Sequence, residues 1–209
     1  MSFSSYFSEQ ARKPSGLFGH IVMPIVFDRG NAFLNGFVNE IMAVQPNDRV
    51  LEIGCGTGKL VKMMAKRIDN GLIEGIDFSS TMVEIAQRRN RKNIARGTVT
   101  IVEDDFDETT SLNTIFTKAC SVNTVYFWKN PQHTVQKVIN VLKPAGKLLL
   151  AFEDIDQLRK RKLNADVFKL YSKNDVARLL TNIGFSDVCI ESREKRKLLF
   201  HCAVATKSA

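Results

Sequence analysis

The chain has 209 residues, 44% of them hydrophobic, and a formal charge of +8 from 30 Lys and Arg against 22 Asp and Glu. That length and apolar content suit one globular unit with a proper core. No run approaches the ~20 consecutive apolar residues of a membrane-spanning helix, and the opening MSFSSYFSEQARKPSG lacks the apolar core of a secretory signal, so the expected compartment is the cytoplasm.

In chain order, the first 20 residues show little periodicity, and IVFDRGNAFLNGFVNEIMAV reads as helix broken by Gly30 and Gly36. Residues 1–47 are therefore expected to form a mobile helical cap on a core of residues 48–209, the two making a single domain. From residue 49 strand-like and helix-like segments alternate, which argues for a mostly parallel sheet with helices on both faces. The strand candidates are RVLEIG, LIEGID, TVTIV, KACSVNTVYF and GKLLLAF, each an apolar or β-branched run between turn formers.

Pro131 opens a helix whose Val135, Val138, Ile139 and Leu142 share one face, and Pro144-Ala145-Gly146 is expected to end that segment. A second helix starts at the capping box Ser172 to Asp175, carries Val176, Leu179, Leu180 and Ile183 on one face, and stops at Gly184. Two more strands, near SDVCIES and KLLFHCAVATK, are joined by the charged turn Arg193 to Lys197, a connection short enough for an antiparallel hairpin.

Cys55, Cys120, Cys189 and Cys202 are scattered with no Cys-x-x-Cys pair, and His20, His133 and His201 lack ligand spacing, so no disulfide framework and no metal is expected. Basic runs occur at Arg88, Arg89, Arg91 and Lys92, at Arg159 to Lys162, and at Arg193 to Lys197. They are short and carry no interleaved aromatics, which reads as solvated faces and not as a nucleic-acid surface.

The stretch LEIGCGTGKL, residues 51–60, holds the chemistry. A nucleotide-triphosphate loop needs Gly-x-x-x-x-Gly-Lys-Ser/Thr; Gly54 to Gly58 is one residue short and Leu60 stands where the hydroxyl belongs. The dinucleotide fingerprint Gly-x-Gly-x-x-Gly fits Gly54 and Gly56 but meets Lys59 at its third glycine. What remains is a strand, a tight glycine turn and a helix, with Glu52 just before the turn. That carboxylate would repel a pyrophosphate and favour a cationic ligand. Asp77, at the end of the second strand, occupies the position from which an acid accepts ribose hydroxyls in such folds. The ligand implied is a cationic adenosine without phosphates.

Taken in order, VLEIGCGTGKL, EGIDFSSTMVEIAQRR, VTIVEDDFD, SVNTVYFW and VLKPAGKLLL resemble the motifs of class I S-adenosylmethionine-dependent methyltransferases, over about residues 48–152. ARKPSGLFGHIV and RGNAFLN resemble the cap of small-molecule, methyltransferase type 11-like members. The resemblance implies a Rossmann-like fold and S-adenosylmethionine as cofactor. It implies that Gly54, Cys55, Gly56, Thr57 and Gly58 let the backbone approach the methionine and ribose portions, with Glu52 supporting the turn or the amino group. Asp77 would take the ribose hydroxyls, Phe78 and Met82 would pack on adenine, and Asp104 or Asp105 with Phe106 would read the adenine amino group and stack on its ring. Ser121 and Asn123 would face the methionine portion. Two positions depart from the pattern: Thr117 stands where many members have an aspartate, and Ala145 replaces a glycine.

Methyl transfer from a sulfonium needs alignment, exclusion of water and, for a hydroxyl acceptor, removal of a proton. The acceptor pocket is expected between the fourth-strand end and the cap, with Phe18, His20, Tyr126, Phe127 and Trp128 as candidate contacts and no assignable catalytic base. The chain has no asparagine-proline-proline-aromatic motif of amide or exocyclic-amine methylation, which favours a small-molecule acceptor. The alternatives are an RNA or protein methyltransferase docking through the basic surface, and a cofactor-binding relative without catalysis.

Overall fold

The apolar runs after residue 49 fold into a seven-stranded sheet in the computed structural model, which describes residues 3–109, 115–161 and 163–208. Three helices come first: α1 (Phe3–Arg12), α2 (Gly16–Gly30) and α3 (Ala32–Met42). Then follow β1 (Arg49–Ile53), α4 (Lys59–Met64), β2 (Leu72–Asp77), α5 (Ser80–Ala95), β3 (Val99–Glu103) and β4 (Phe116–Val122). The chain continues through α6 (Pro131–Val141), β5 (Leu142–Glu153), α7 (Ile155–Arg159), α8 (Lys173–Ile183), β6 (Phe185–Lys195) and β7 (Leu198–Lys207).

The sheet order is β3-β2-β1-β4-β5-β7-β6; β7 runs antiparallel to both β5 and β6, and the pairs from β3 to β5 are parallel. This is the mostly parallel, Rossmann-like arrangement expected, closed by an antiparallel C-terminal hairpin. Strand order reverses between β1 and β4, so the carboxyl ends of those strands open the crevice where such sheets bind ligands. One face of the sheet is covered by α3, α4 and α5 over Val50, Ile73 and Leu149, the other by α6, α7 and α8 over Leu51, Leu148 and Leu150. No helix among the described residues is long and apolar enough to cross a membrane.

The first 47 residues divide differently from expectation. Gly36 lies inside α3, where it is tolerated, and α2 runs through Pro24 to Gly30. The break falls at Asn31, the residue between the two helices. Leu34, Phe37, Val38 and Met42 of α3 are buried in the core on the sheet, each contributing roughly 2 kcal/mol by burial. Only α1 and α2 form a cap.

Two turns also depart from the sequence reading. The strand expected over KACSVNTVYF ends at Val122, because Asn123 adopts φ 57 and Val125–Phe127 closes a 3-10 turn. The charged turn of the hairpin is only Arg196-Lys197, both at positive φ, with Lys195 paired to Leu198. Within the basic run Arg159 to Lys162, Lys162 lies outside the described residues.

The two departures from the motif pattern have physical accounts. Thr117 Oγ1 donates to Asp48 Oδ1 at 2.7 Å, and Asp48 also takes Lys118 Nζ at 2.7 Å, so the carboxylate at this corner comes from the residue just before the neighbouring β1. Ala145 sits at φ 59 in the irregular start of β5, between Leu142 and Lys147 where the pairing with β4 shifts register, a left-handed conformation that disfavours a Cβ. Ala145→Gly is expected to stabilise the protein by about 1 kcal/mol, read as a rise of roughly 2–4 °C in the thermal midpoint.

Candidate active site

The turn after β1 is built from glycines because its backbone goes where other residues rarely do: Gly54, Gly56 and Gly58 have φ of 68, 51 and 67. Their surroundings give them different tasks. A Cβ on Gly54 would collide with Thr124 Cγ2, and one on Gly58 would lie 2.8 Å from Ala86 Cβ, so these two admit the β4 turn and α5. A Cβ on Gly56 would meet nothing within 4 Å, so the turn is open over its Cα, where a ligand can approach. Cys55 packs inward, and burial, with Asp77 and Glu52 adding, pushes its thiol far above the usual range; it is no nucleophile.

Asp77 pins the turn to the end of β2. Its Oδ2 accepts from the Gly56 N–H at 2.8 Å and its Oδ1 from the Ser79 N–H at 2.9 Å. Burial still outweighs these two donors and raises its carboxyl to about 6. Glu52 is fully enclosed, and among the described residues its Oε2 has no hydrogen-bond partner. Burial first, then the neighbouring Asp77, pushes its carboxyl well above the usual range. A small cavity of ≈ 30 Å³ lies against Glu52, Asn31, Asn35 and the turn residues Gly54 to Thr57.

A larger cavity of ≈ 300 Å³ opens at the switch point. Of the residues expected from sequence, Gly54, Gly56, Asp77, Phe78, Met82, Asp104, Asp105 and Phe106 line it, followed by Asn123, Tyr126, Phe127 and Trp128. Asp105 Oδ1 is taken by the Asp107 N–H at 3.1 Å, whereas the Asp104 carboxylate makes no hydrogen bond among the described residues. The Tyr126 hydroxyl accepts from the Glu153 N–H at 2.7 Å and donates to Asn123 Oδ1 at 3.3 Å. Burial pushes its phenol far above the usual range, so it stays neutral.

Other expected residues fall elsewhere. Cys55 and Thr57 line only the small cavity beside Glu52, and Gly58 lines neither. Ser121 is a buried pin, its hydroxyl donating to Ile53 O at 2.7 Å and contacting Thr124 Oγ1. Phe18 and His20 do not reach the cavity: Phe18 stacks edge-on against Tyr6 at 5.4 Å, and His20 sits exposed with Nδ1 2.9 Å from Gly16 O and Nε2 3.5 Å from Glu84. On α2 these two positions flank, one on each side, the row in which Gly19 and Met23 are buried.

The structure adds residues that sequence reasoning missed. Phe7 and Ala11 of α1 and Val26 and Phe27 of α2 roof the cavity, and Glu153, Arg161 and Phe168 line it from beyond β5. Asn31, at the α2–α3 break, accepts from Asn123 Nδ2 at 2.8 Å and so ties the cap to the end of β4. Asp28 makes a paired hydrogen bond with Arg89 of α5, at 2.9 and 2.6 Å, accepts from Thr57 Oγ1 at 2.7 Å, and its carbonyl takes Lys59 Nζ. Although burial opposes it, Arg89 and Thr57 hold the Asp28 carboxyl below its usual range. The available signal was Asp28 itself, the first acid after the long apolar run of α2.

The lining fits a cationic, phosphate-free nucleoside: an orphaned buried carboxylate beside the turn, open space over Gly56, and a carboxylate at the end of β2. Fold and site together define a class, enzymes that bind an adenosine cofactor at the switch point of a Rossmann-like sheet. Residues 50–146 match the family described as "Methyltransferase domain". The chain is 25% identical over 179 residues to the uncharacterized methyltransferase YdaC of Bacillus subtilis (strain 168), covering 86% of this chain and 94% of that protein. It is 33% identical over 122 residues to the malonyl-[acyl-carrier protein] O-methyltransferase of Priestia megaterium, covering 58% of this chain and only 40% of that protein. A chain from the complex of the Haloferax volcanii Trm112 methyltransferase activator with a methyltransferase superposes with a TM-score of 0.79 at 15% identity, covering 100% of both chains. The chain is a class I S-adenosylmethionine-dependent methyltransferase, with S-adenosylmethionine as its cofactor.

Asp28→Ala would leave the Arg89 guanidinium and the Thr57 hydroxyl without their partner. It is expected to cost about 2 kcal/mol in denaturant unfolding and to raise amide exchange in α2 while leaving β1 to β4 protected.

Proposed function

We propose that this enzyme transfers a methyl group to a small-molecule acceptor held between the end of β4 and the α1–α2 cap. The observation that carries the reading is the continuity of the larger cavity, which runs from Asp77 and Asp104 to the apolar roof of Phe7, Val26 and Phe27. Its ≈ 300 Å³ lies at the lower end of the range for small-ligand sites. A relative named for O-methylation of a malonyl group on its carrier protein supports a small acceptor group.

Bound S-adenosylmethionine supplies an electrophilic methyl group on a positively charged sulfur. The chain's own residues align and enclose it. Asp77 accepts the ribose hydroxyls with the lone pairs that Gly56 and Ser79 leave free, and Glu52, ionised by a neighbouring cation, faces the amino group. Phe78, Met82 and Phe106 flank the base, and Asp104, whose carboxylate is not engaged among the described residues, reads its amino group in preference to Asp105. Asn123, with its amide fixed by Asn31 and Tyr126, borders the reacting methyl, while Tyr126, Phe127 and Trp128 hold the acceptor and exclude water. In-line displacement then relies mainly on alignment in a dry cavity.

The test is transfer of labelled methyl from S-adenosylmethionine into separated fractions of the source cell. Label is expected in the small-molecule fraction and is expected to fall at least about tenfold in Phe127→Ala, which opens the aromatic wall. Label confined to RNA or protein, or cofactor binding with no transfer to any fraction, would contradict the reading.

A further inference from the structure

Helix α2 is apolar on both sides, although only one side meets the protein. Its inner side buries Gly19 and Met23 and sends Phe27 to the cavity. Its outer side carries Leu17, Ile21 and Ile25 at 81%, 62% and 49% exposure, four residues apart and so in one row along the helix. Val22 and Val26 form a second exposed row beside them. An apolar helix face of this length is normally covered, and nothing among the described residues covers this one.

The charges around the face name the partner. Arg29 in its last turn is exposed and forms no ion pair among the described residues, whereas Lys13, before the helix, lies over the Phe78 ring at 5.5 Å and acts on Asp77 at the cavity. Arg29 continues the row of Leu17, Ile21 and Ile25 at the same spacing. The nearby acids are already engaged: Glu9 by Arg12, Asp28 by Arg89, and Glu84 of the adjoining α5 by Arg88 and His20. What is left around the apolar rows is cationic, on a chain of net charge +8. A second copy of the chain would bring like charge against like charge, whereas an anionic lipid surface offers both an apolar layer and opposite charge.

We propose that the outer face of α2 docks this enzyme on an anionic bilayer surface, with Leu17, Ile21, Val22 and Ile25 entering the headgroup boundary and Arg29 meeting acidic headgroups. Val26 is both on this face and in the wall of the cavity, so docking places the bilayer beside the roof of the acceptor site. The inference stands whichever acceptor is methylated.

Vesicle sedimentation of the full chain tests it. The chain is expected to sediment with phosphatidylcholine vesicles containing phosphatidylglycerol, to stay free of pure phosphatidylcholine vesicles, and to release as salt is raised. The double variant Ile21→Glu/Ile25→Glu should lower vesicle affinity at least about tenfold while S-adenosylhomocysteine binding is unchanged, since neither residue lines the cavity. Arg29→Glu should weaken binding to the anionic vesicles as well. No sedimentation with either vesicle, equal sedimentation with both, or binding untouched by the double variant would overturn the proposal. So would a dimer in sedimentation velocity that the double variant converts to monomer, which would assign the face to a second copy.

Discussion

The hydrogen bond from the Gly56 amide to the Asp77 carboxylate, 2.8 Å long, is the constraint on which the site depends. Together with the Gly54 and Cys55 amides, which donate to Ile76 O, it fastens the turn to the end of the adjacent strand, and it does so from inside the protein. The cost is a carboxylate in a buried place, visible in the rise of its proton affinity to about 6. Two backbone amides offset part of that cost, and the lone pairs that remain point to a ligand able to donate hydrogen bonds. Glu52 presents the same problem without the same relief, since one of its oxygens has no partner among the described residues. Two underpartnered carboxylates beside an open glycine turn make an environment hostile to phosphate and receptive to a cationic nucleoside.

Around that floor the rest of the fold is arranged as clamps. Asp28, Arg89 and Thr57 tie α2 to the glycine turn and to α5, Ser79 Oγ donates to Pro14 O at 2.7 Å, and Asn31 ties the α2–α3 break to Asn123. Each clamp joins the cap to a different strand end of the core. The cavity roof is therefore set by polar contacts spaced around an apolar interior, an arrangement that keeps water out while holding the walls in place. Helix α2 carries the consequence: it must present apolar side chains to the cavity, and its sequence is apolar on the outside as well.

What could be read from sequence was local. The glycine spacing, Glu52, Asp77 and the aspartates after β3 lie within or next to short motifs whose chemistry is set by their immediate neighbours, and they converge on the same crevice. The capping box at Ser172 and Asp175 formed as expected for the same reason. What was hidden depends on distant partners. Asp28 and Arg89 are 61 positions apart, and nothing in either local sequence announces the other. The break after Gly30 was legible and the one expected at Gly36 is absent, while α3 reads like cap until its Leu34, Phe37 and Val38 are seen against the sheet. Phe18 and His20 illustrate the same limit, since residues in a segment that covers a site need not face it. Ala145 shows the converse, a residue whose conformation, φ 59, explains why glycine fits that position better.

The claim that the crevice is built for a cationic adenosine without phosphates, held through Asp77, is tested most directly by calorimetric titration of the protein with S-adenosylmethionine, S-adenosylhomocysteine, ATP and NADH across pH 5 to 8. The account predicts that the first two bind and the others do not. Because the ligand's hydroxyls favour the ionised carboxylate, affinity should fall as pH drops through about 6, and Asp77→Ala and Gly56→Leu should each weaken binding at least about tenfold. Binding of ATP or NADH in their place, or silence of both substitutions, would contradict it.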